Sequence, residues 1–159
     1  MRRWQPFATA VATTMAAAIL SPAGWASAGA QAPAAEDPPN LPPAYTAFLA
    51  SVGGSHYVQV DGVAIHYAEA GPKNRPTLLL LHGSPDNIYS WRNIMPALAR
   101  HYHVVAPDLA GFGLSGHPAQ PLTWTSEIHY LSGFIAAEHL RNLTLVATDI
   151  GGLFGFAYA

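Results

Sequence analysis

The stretch "LVATDIGG", residues 145–152, decides how this chain folds. A short apolar run stops at Asp149 and restarts on two glycines, which is the pattern of a buried strand that turns sharply into a helix. Ala147 and Gly151 stand two positions on either side of Asp149 and are small enough for a very tight turn. Gly152 is predicted to let the new helix pack closely on the sheet. The carboxylate of Asp149 then lies at a helix N-terminus, which favours its ionised form; the alternative is an ordinary N-cap.

Outward from this turn, strand-type runs alternate with helix-type segments. Two β-type runs, 55–60 and 63–70, flank Asp61-Gly62, a dipeptide that predicts a hairpin because both turn positions need positive φ. The other elements are predicted from continuous apolar runs and from helical spacing. They are strands at 77–81, 103–107 and 143–147, a helix over 88–102 with Pro96 as a kink or break, a helix over 123–140 capped by Thr123 or Thr125, and a helix that opens in 151–159.

This alternation predicts an α/β fold with a mostly parallel sheet and an N-terminal hairpin. In such sheets ligands bind outside the carboxyl ends of the strands. Three turn clusters follow the three parallel strands: "HGSP" at 82–85, "DLAGFG" at 108–113 and "TDIG" at 148–151. We therefore expect these clusters to converge at one edge of the sheet and to form the functional site there.

The composition excludes several classes of function. The chain has 159 residues, a net charge of −2 and no cysteine. Its seven basic residues are scattered and form no stripe for phosphates, so nucleic acid is not an expected partner. Disulfides and thiolate metal sites are excluded. His101 and His103 have the spacing of a metal pair, but edge histidines are the simpler interpretation, and we expect neither a metal nor a cofactor.

The first 28 residues have the plan of a secretory signal peptide. Arg2 and Arg3 precede an uncharged Ala-rich run, and a small-residue cleavage site ends at Ala28. The apolar run is short for a membrane span, so we expect a secreted or periplasmic protein without a membrane anchor after cleavage; a retained anchor is the alternative. Residues 29–54 are predicted to be a Pro/Ala-rich linker and lead-in, and residues 55–159 a folded domain.

The order small-x-Asp-x-small between a strand and a helix is that of a nucleophile elbow. "LLLLHGSP" puts a His-Gly turn directly after a buried strand, so the backbone N–H groups of Ser84 and Ile150 are candidates for an oxyanion hole. His82 and Gly83 are expected to support that loop; the alternative is a plain turn with a hydrogen-bonded histidine. A carboxylate nucleophile displaces a leaving group at a saturated carbon and gives an alkyl ester, which water then hydrolyses.

Residues 57–159 resemble the N-terminal half of an α/β-hydrolase. The resemblance rests on "HGSPDNIYSWRNIM", "APDLAGFGLSG" and "LTLVATDIGG", which are specific when taken together. It points to the branch with an aspartate nucleophile, which contains the epoxide hydrolases and the haloalkane and haloacetate dehalogenases. It implies Asp149 as the nucleophile and a small-molecule substrate. It further implies a histidine base, an acid that orients this histidine, and a cap domain, all later in the chain than the nucleophile.

Two positions bear on the choice within this branch. The dehalogenases that the chain resembles usually carry Asn at the position of Ser84 and Trp at that of Ile150, and those side chains hold the halide. Ser84 is a weaker donor and Ile150 has no side-chain donor, which argues against a typical haloalkane dehalogenase and leaves the haloacetate type open. "HGSP" fits the epoxide hydrolases, some of which are secreted bacterial proteins. Thr148 departs from the His of their elbows, which we interpret as tolerated. The resemblance favours an epoxide hydrolase.

No residue of this chain is a clear candidate for the base or its orienting acid. Asp86 and Asp108 follow strands, where turn formation or capping is the expected role. We therefore expect the N-terminal part of a longer hydrolase, truncated after the elbow, with 143–147 as an exposed apolar edge. The alternative is a catalytically inactive fragment, or a half-domain that needs a partner chain. The oligomeric state is left open.

Overall fold

The computed structural model describes residues 36–159, so the predicted signal peptide and the start of the linker lie outside the described residues. The strands of this part are β1 (His56–Val60), β2 (Val63–Ala70), β3 (Thr77–Leu81), β4 (His103–Pro107) and β5 (Leu143–Ala147). The helices are α1 (Pro43–Ser51), α2 (Met95–Leu98), α3 (Trp124–Ala137) and α4 (Asp149–Tyr158), with a 3₁₀ helix at Ile88–Trp91. None of these helices within residues 36–159 has the length and apolar character needed to cross a bilayer.

One sheet holds the strands in the order β1-β2-β4-β3-β5. β3 pairs in parallel with β4 on one side and with β5 on the other. β2 pairs antiparallel with both β1 and β4. The predicted α/β class, the hairpin and the three parallel strands are confirmed. The outer edge of β5 has no strand partner within residues 36–159.

The centre of the sheet, strands β3 and β4, is buried on both faces, as the continuous apolar run of β3 predicts. Leu79 and Leu81 join the core beneath α3 and α4, while Leu78 and Leu80 join the core on the face of α1 and α2. Each of these leucines is at most 7% exposed. Full burial of one leucine stabilises the fold by roughly 1.5–3 kcal/mol, so β3 is a firm support for the loop that follows it.

The hairpin turn and the start of α3 are both formed where local sequence patterns predict them. Asp61 and Gly62 turn the hairpin with φ angles of 47° and 80°, as a turn with two positive-φ positions requires. Thr123 caps α3: its side chain accepts a hydrogen bond from the backbone N–H of Ser126, and the side chain of Ser126 accepts one from the backbone N–H of Thr123. This capping box fixes where α3 begins.

The lead-in to the domain contains a helix that the sequence analysis did not predict. α1 buries Tyr45, Phe48 and Leu49 in the core beside the sheet. Tyr45 also stacks on Tyr89 of the 3₁₀ helix, with ring centroids 5.4 Å apart. The packed part of the chain therefore begins before residue 55. The proline-rich run that indicated a linker ends at the first residue of this helix.

A continuous helix over 88–102 is wrong, and the kink or break predicted at Pro96 lies before this residue, between Trp91 and Met95. The chain instead forms the 3₁₀ helix and then the four-residue α2. Pro96 lies in the first turn of α2, where its missing N–H costs no hydrogen bond. Ile88, Trp91 and Met95 are nevertheless buried, because the apolar spacing that indicated a helix still turns these side chains towards the core.

Candidate active site

The three turn clusters meet at the carboxyl edge of the parallel strands, as predicted. Gly83, in the loop after β3, lies against Asp149: a Cβ built on Gly83 would be 2.5 Å from the Cβ of Asp149. His82 accepts a hydrogen bond from Leu109, in the loop after β4. The structure thus brings together the segments 82–85, 108–113 and 148–151 that the sequence singled out.

Asp149 joins β5 to α4 in a backbone conformation that is rare for a residue with a side chain. Its φ is 51°, in the left-handed region, and such strain persists only where the surrounding structure imposes it. Its Oδ1 accepts a hydrogen bond from the backbone N–H of Ser84 at 3.0 Å. Hydrogen bonds from the N–H groups of Ser84 and Ile150 hold the pKa of Asp149 below its ordinary value. The carboxylate is exposed, and because its pKa is lowered it is ionised at neutral pH.

His82 is fully buried, and its tautomer is set by two backbone groups. Its Nε2 lies 3.0 Å from the N–H of Leu109 and accepts that hydrogen bond, so Nδ1 carries the proton. Nδ1 donates to the carbonyl of Gly83 at 2.8 Å. The ring is therefore a neutral link between the loops after β3 and β4. It supports the position of Ser84, but it has no free nitrogen for proton transfer.

Glycines allow the elbow to approach the neighbouring strand. A Cβ at Gly151 would lie 2.3 Å from the carbonyl oxygen of His82, a distance that real structures do not show. One turn later, a Cβ at Gly155 would lie 3.1 Å from the side chain of Leu81. The close packing predicted for Gly152 is wrong, because a Cβ there would meet nothing within 4 Å. Gly151 and Gly155 face the sheet instead.

A second aspartate at this sheet edge, Asp108, is fully buried. Its carboxylate accepts hydrogen bonds from the N–H groups of Ile88 at 2.7 Å and Leu114 at 2.8 Å, and from Nδ1 of His66 at 2.8 Å. It fastens the loops after β3 and β4 to strand β2. These contacts occupy both oxygens of the carboxylate and give Asp108 a structural role of the capping kind.

The pairing of His66 with Asp108 is a feature that the sequence analysis missed. The Oγ of Ser55 lies 2.9 Å from Nε2 of His66, so the order of contacts is Ser–His–Asp, as in a hydrolytic triad. His66 and Asp108 are both 0% exposed, however, and the pair is closed to any substrate. The two residues are 42 positions apart, and no local signal in the sequence connects them.

Within residues 36–159, none of the described hydrogen bonds joins a histidine to Asp149. His103 is buried, with Nε2 2.6 Å from Glu69 and Nδ1 3.1 Å from Thr77, so the alternative of a His101–His103 metal pair is not supported. In the part of the chain that the structure describes, no group of three or more His, Asp or Glu side chains is arranged to hold a metal ion. The side-chain hydrogen bond described at Asp149 comes from Ser84, and it involves no histidine.

Residues 76–159 match the model of the alpha/beta hydrolase fold family. This match covers more than half of the chain, and the chain therefore belongs to the α/β-hydrolase family. The expectation drawn from "HGSP", "APDLAGFG" and "TDIGG" is confirmed at the level of the family. The parallel strands β4, β3 and β5, with the elbow after β5, are the part of that fold described above.

The similar proteins include several kinds of hydrolase. A haloalkane dehalogenase of Bradyrhizobium diazoefficiens is 38% identical over 100 residues, which are 63% of this chain and 32% of the relative. Epoxide hydrolase 3 of Xenopus tropicalis is 36% identical over 114 residues, which are 69% of this chain and 31% of the relative. The crystal structure of a membrane phospholipase A, a bacterial virulence factor, has a TM-score of 0.67 and 35% identity, over 72% of this chain and 37% of that one. The chain spans about a third of the length of these proteins.

Proposed function

We propose that the protein is a hydrolase that uses Asp149 as a carboxylate nucleophile and an epoxide as its substrate. The observation that carries this proposal is an exposed carboxylate on a strained strand-to-helix turn, with Oδ1 3.0 Å from the backbone nitrogen of Ser84. A lipase or esterase of this fold needs a serine or cysteine at that turn. A carboxylate there suits attack on a saturated carbon instead.

The proposed reaction has two steps. A carboxylate oxygen of Asp149 attacks a ring carbon of the epoxide, the ring C–O bond breaks, and the ring oxygen takes up a proton from an acid or from water. The product is an alkyl ester on Asp149. Water then attacks the ester carbonyl, and the N–H groups of Ser84 and Ile150 stabilise the negative charge that develops on its oxygen. Collapse of this intermediate releases a diol and restores the carboxylate.

The electrostatics of the elbow suit the first step. A carboxylate is a nucleophile only when it is ionised, and the two backbone N–H groups lower the pKa of Asp149. The same two groups then face the oxygen that becomes negative in the second step. The base for that second step is not His82, since both of its ring nitrogens are hydrogen-bonded to the backbone.

Displacement of a halide is the second candidate, because haloalkane dehalogenases are among the relatives at 38% identity. The residues beside the nucleophile favour an epoxide. A departing halide needs donors that hold it, whereas Ser84 offers one hydroxyl and Ile150 offers none. The leaving oxygen of an epoxide stays attached to the substrate, so its departure requires a proton and no halide site.

Isotope transfer tests the proposal. In a single turnover of an epoxide by the complete protein in H₂¹⁸O, we expect ¹⁸O in the carboxylate of Asp149, detected by peptide mass spectrometry. Asp149→Ala should form no ester, while Asp86→Asn, which changes an exposed carboxylate in the loop after β3, should form it normally. Turnover that persists in Asp149→Ala would overturn the nucleophile assignment. Label that appears with haloacids or haloalkanes, but with no epoxide, would favour the second candidate.

We also propose that residues 1–28 direct export and that the mature protein is periplasmic or secreted. The support is the order of a basic start, an uncharged Ala-rich run and a small-residue cleavage site. N-terminal sequencing of the protein from the periplasmic fraction should begin after Ala28. A mature protein that retains Met1 contradicts this proposal.

A further inference from the structure

The most unusual side chain outside the elbow is that of Glu127, in the first turns of α3. It is 4% exposed, although carboxylates are rarely buried without a partner. Neither of its oxygens, Oε1 or Oε2, has a hydrogen-bond partner. A buried carboxylate in this condition is stable only if it carries a proton, because an unpaired charge away from water is costly.

Glu127 lies against a small cavity beneath the end of β4. The cavity has room for about 10 Å³, which is about the volume that one water molecule needs. Its walls come from β2, from α3 and from the segment 107–110, and they are formed mainly by Ile65, Leu109, Ala110, Leu131 and Phe134. Glu127 is therefore packed directly under the segment that leads from β4 into the loop of the site.

The titratable groups that face Glu127 do not offset its charge. Asp108 lines the cavity from the end of β4, and its carboxylate is already bound by two backbone N–H groups and by His66. Tyr130 lines it from α3, and burial, Asp61 and Glu127 together raise the pKa of this tyrosine. β2 contributes the apolar Ile65. No lysine or arginine lines this cavity.

We propose that Glu127 is a proton-controlled contact: while protonated it lets the segment 107–110 close over it, and its ionisation loosens that segment. The physical cause is hydration. An ionised carboxylate with no partner must reach water, and the path to water runs past Leu109 and Ala110 or through the first turn of α3. Leu109 donates to His82, which in turn holds the carbonyl of Gly83 beside Ser84. Loosening therefore reaches the loop after β3, and its effect on catalysis rests on the function proposed above.

Burial raises the pKa of Glu127 to about 7. Since an unfolded chain binds this proton with an ordinary pKa of about 4.3, the folded state binds it more tightly. The stabilisation is fully present below the ordinary pKa and is lost as the pH rises through about 7. Above that pH both states are ionised and no further change follows. A rise of the pKa from its ordinary value to about 7 lowers the folding equilibrium constant by roughly a few hundredfold across the full window.

Two variants isolate this contribution. Glu127→Gln keeps the shape of the side chain and cannot ionise. Glu36→Gln removes an exposed carboxylate and serves as the control. Denaturant unfolding of the complete protein between pH 4.5 and 8 should show that the folding equilibrium constant of the native protein and of Glu36→Gln falls by about a hundredfold more than that of Glu127→Gln. Equal pH dependence in all three proteins would overturn the proposal.

Two further readouts do not depend on a variant that folds or on the role of Asp149. The side-chain carboxyl carbon of Glu127, followed by NMR in the native protein, should titrate near neutral pH; a midpoint at the ordinary value for glutamate overturns the proposal. Hydrogen exchange should show a protection factor at the Leu109 amide that falls from pH 5.5 to 8 by at least about tenfold more than that of the Leu79 amide in β3, which follows the stability of the whole fold. Equal changes at both amides would show a global effect and would contradict a loosening of the segment.

Discussion

Asp108 and Asp149 each follow a parallel strand at the same edge of the sheet, yet their surroundings are opposite. Asp108 is fully buried and receives hydrogen bonds from two backbone N–H groups and a histidine. Asp149 is exposed, sits at a φ of 51° and receives backbone hydrogen bonds only from the loop after β3 and from its own helix. One carboxylate fastens loops, and the other is presented to solvent.

The difference shows that position at a strand end does not determine the role of an aspartate. Asp108 and Asp149 differ in the path that the backbone takes after each of them. β4 continues into a loop that folds over Asp108, whereas β5 turns at once into α4 and leaves the side chain of Asp149 above the sheet. We expect substitutions at Asp108 to change stability and substitutions at Asp149 to change activity.

The largest expected effect is on turnover in Asp149→Asn. The amide keeps the size of the side chain and tolerates positive φ, but it is a poor nucleophile. We expect turnover of the complete protein to fall by at least about 10⁴-fold, with a thermal midpoint close to that of the native protein. Steady-state kinetics and calorimetry measure the two quantities. A large loss of stability would make Asp149 a structural residue like Asp108.

We expect Asp108→Ala to lower stability rather than to act directly on turnover. Removal of the carboxylate leaves His66 and the N–H groups of Ile88 and Leu114 buried without their partner. We expect the free energy of unfolding to fall by about 3–5 kcal/mol, measured by denaturant titration. A loss below about 1 kcal/mol would show that the three segments hold together without this carboxylate.

Two glycines allow a matched test, because each lies against one of the two aspartates. A Cβ at Gly83 would be 2.5 Å from the Cβ of Asp149, and a Cβ at Gly113 would be 2.2 Å from the carboxylate of Asp108. Gly83→Ala should displace the carboxylate of Asp149 and, if this group is the nucleophile as proposed, lower turnover by about 100-fold. Gly113→Ala should instead lower the free energy of unfolding by about 1–3 kcal/mol. The comparison fails if both variants lose mainly stability, or both mainly activity.

Within α4, Gly151 and Gly152 separate packing from helix propensity. Gly151→Ala places a methyl group 2.3 Å from the carbonyl oxygen of His82, and we expect a loss of about 1–3 kcal/mol in stability. Gly152→Ala meets open space, and we expect a gain of about 0.5–1 kcal/mol from the better helix former. Urea unfolding curves of the two variants should therefore shift in opposite directions. Shifts in the same direction would contradict the packing described at the elbow.

The smallest expected effect concerns pH: the rate of ester formation on Asp149 should not change between pH 7 and pH 5. The N–H groups of Ser84 and Ile150 lower the pKa of Asp149, so its carboxylate stays ionised as the pH falls from 7 to 5 and loses its charge only below the ordinary value for aspartate. The rate of ester formation, followed by rapid quench and mass spectrometry, should be flat over that range. A decline with a midpoint near 5 or above would mean that the N–H groups of Ser84 and Ile150 do not lower the pKa of Asp149.

The sequence predicts those parts of the fold that local patterns determine. β3 and β5 were predicted from apolar runs, the hairpin from Asp61-Gly62, and the start of α3 from the cap at Thr123. The elbow followed from small residues on either side of Asp149, and the strained φ there agrees with that interpretation. Catalytic roles for Ser84 and Ile150 remain predictions, whereas the hydrogen bonds of their N–H groups to Asp149 are part of the structure.

What the sequence did not reveal depends on contacts between distant segments. The partners of Asp108 are 42, 20 and 6 positions away, and no local pattern reports them. The burial of Glu127 arises because the segment after β4 covers α3, while its neighbours in the sequence are typical of an exposed first turn. Spacing alone does not tell which side of α4 faces the sheet, so the sequence does not distinguish Gly152 from the packed Gly151. The helix at residues 43–51 followed a proline-rich run and was missed for that reason.

The strained turn at Asp149 has a consequence for how this domain can change over evolutionary time. The side chain is held above the sheet by the path of the backbone, and that path depends on Gly151 and Gly83 rather than on the carboxylate. A serine or cysteine at position 149 would be presented to solvent in the same place. Under the proposed function, a substitution of the single residue at the elbow would therefore change the nucleophile that is presented, while the residues that shape the turn stay the same.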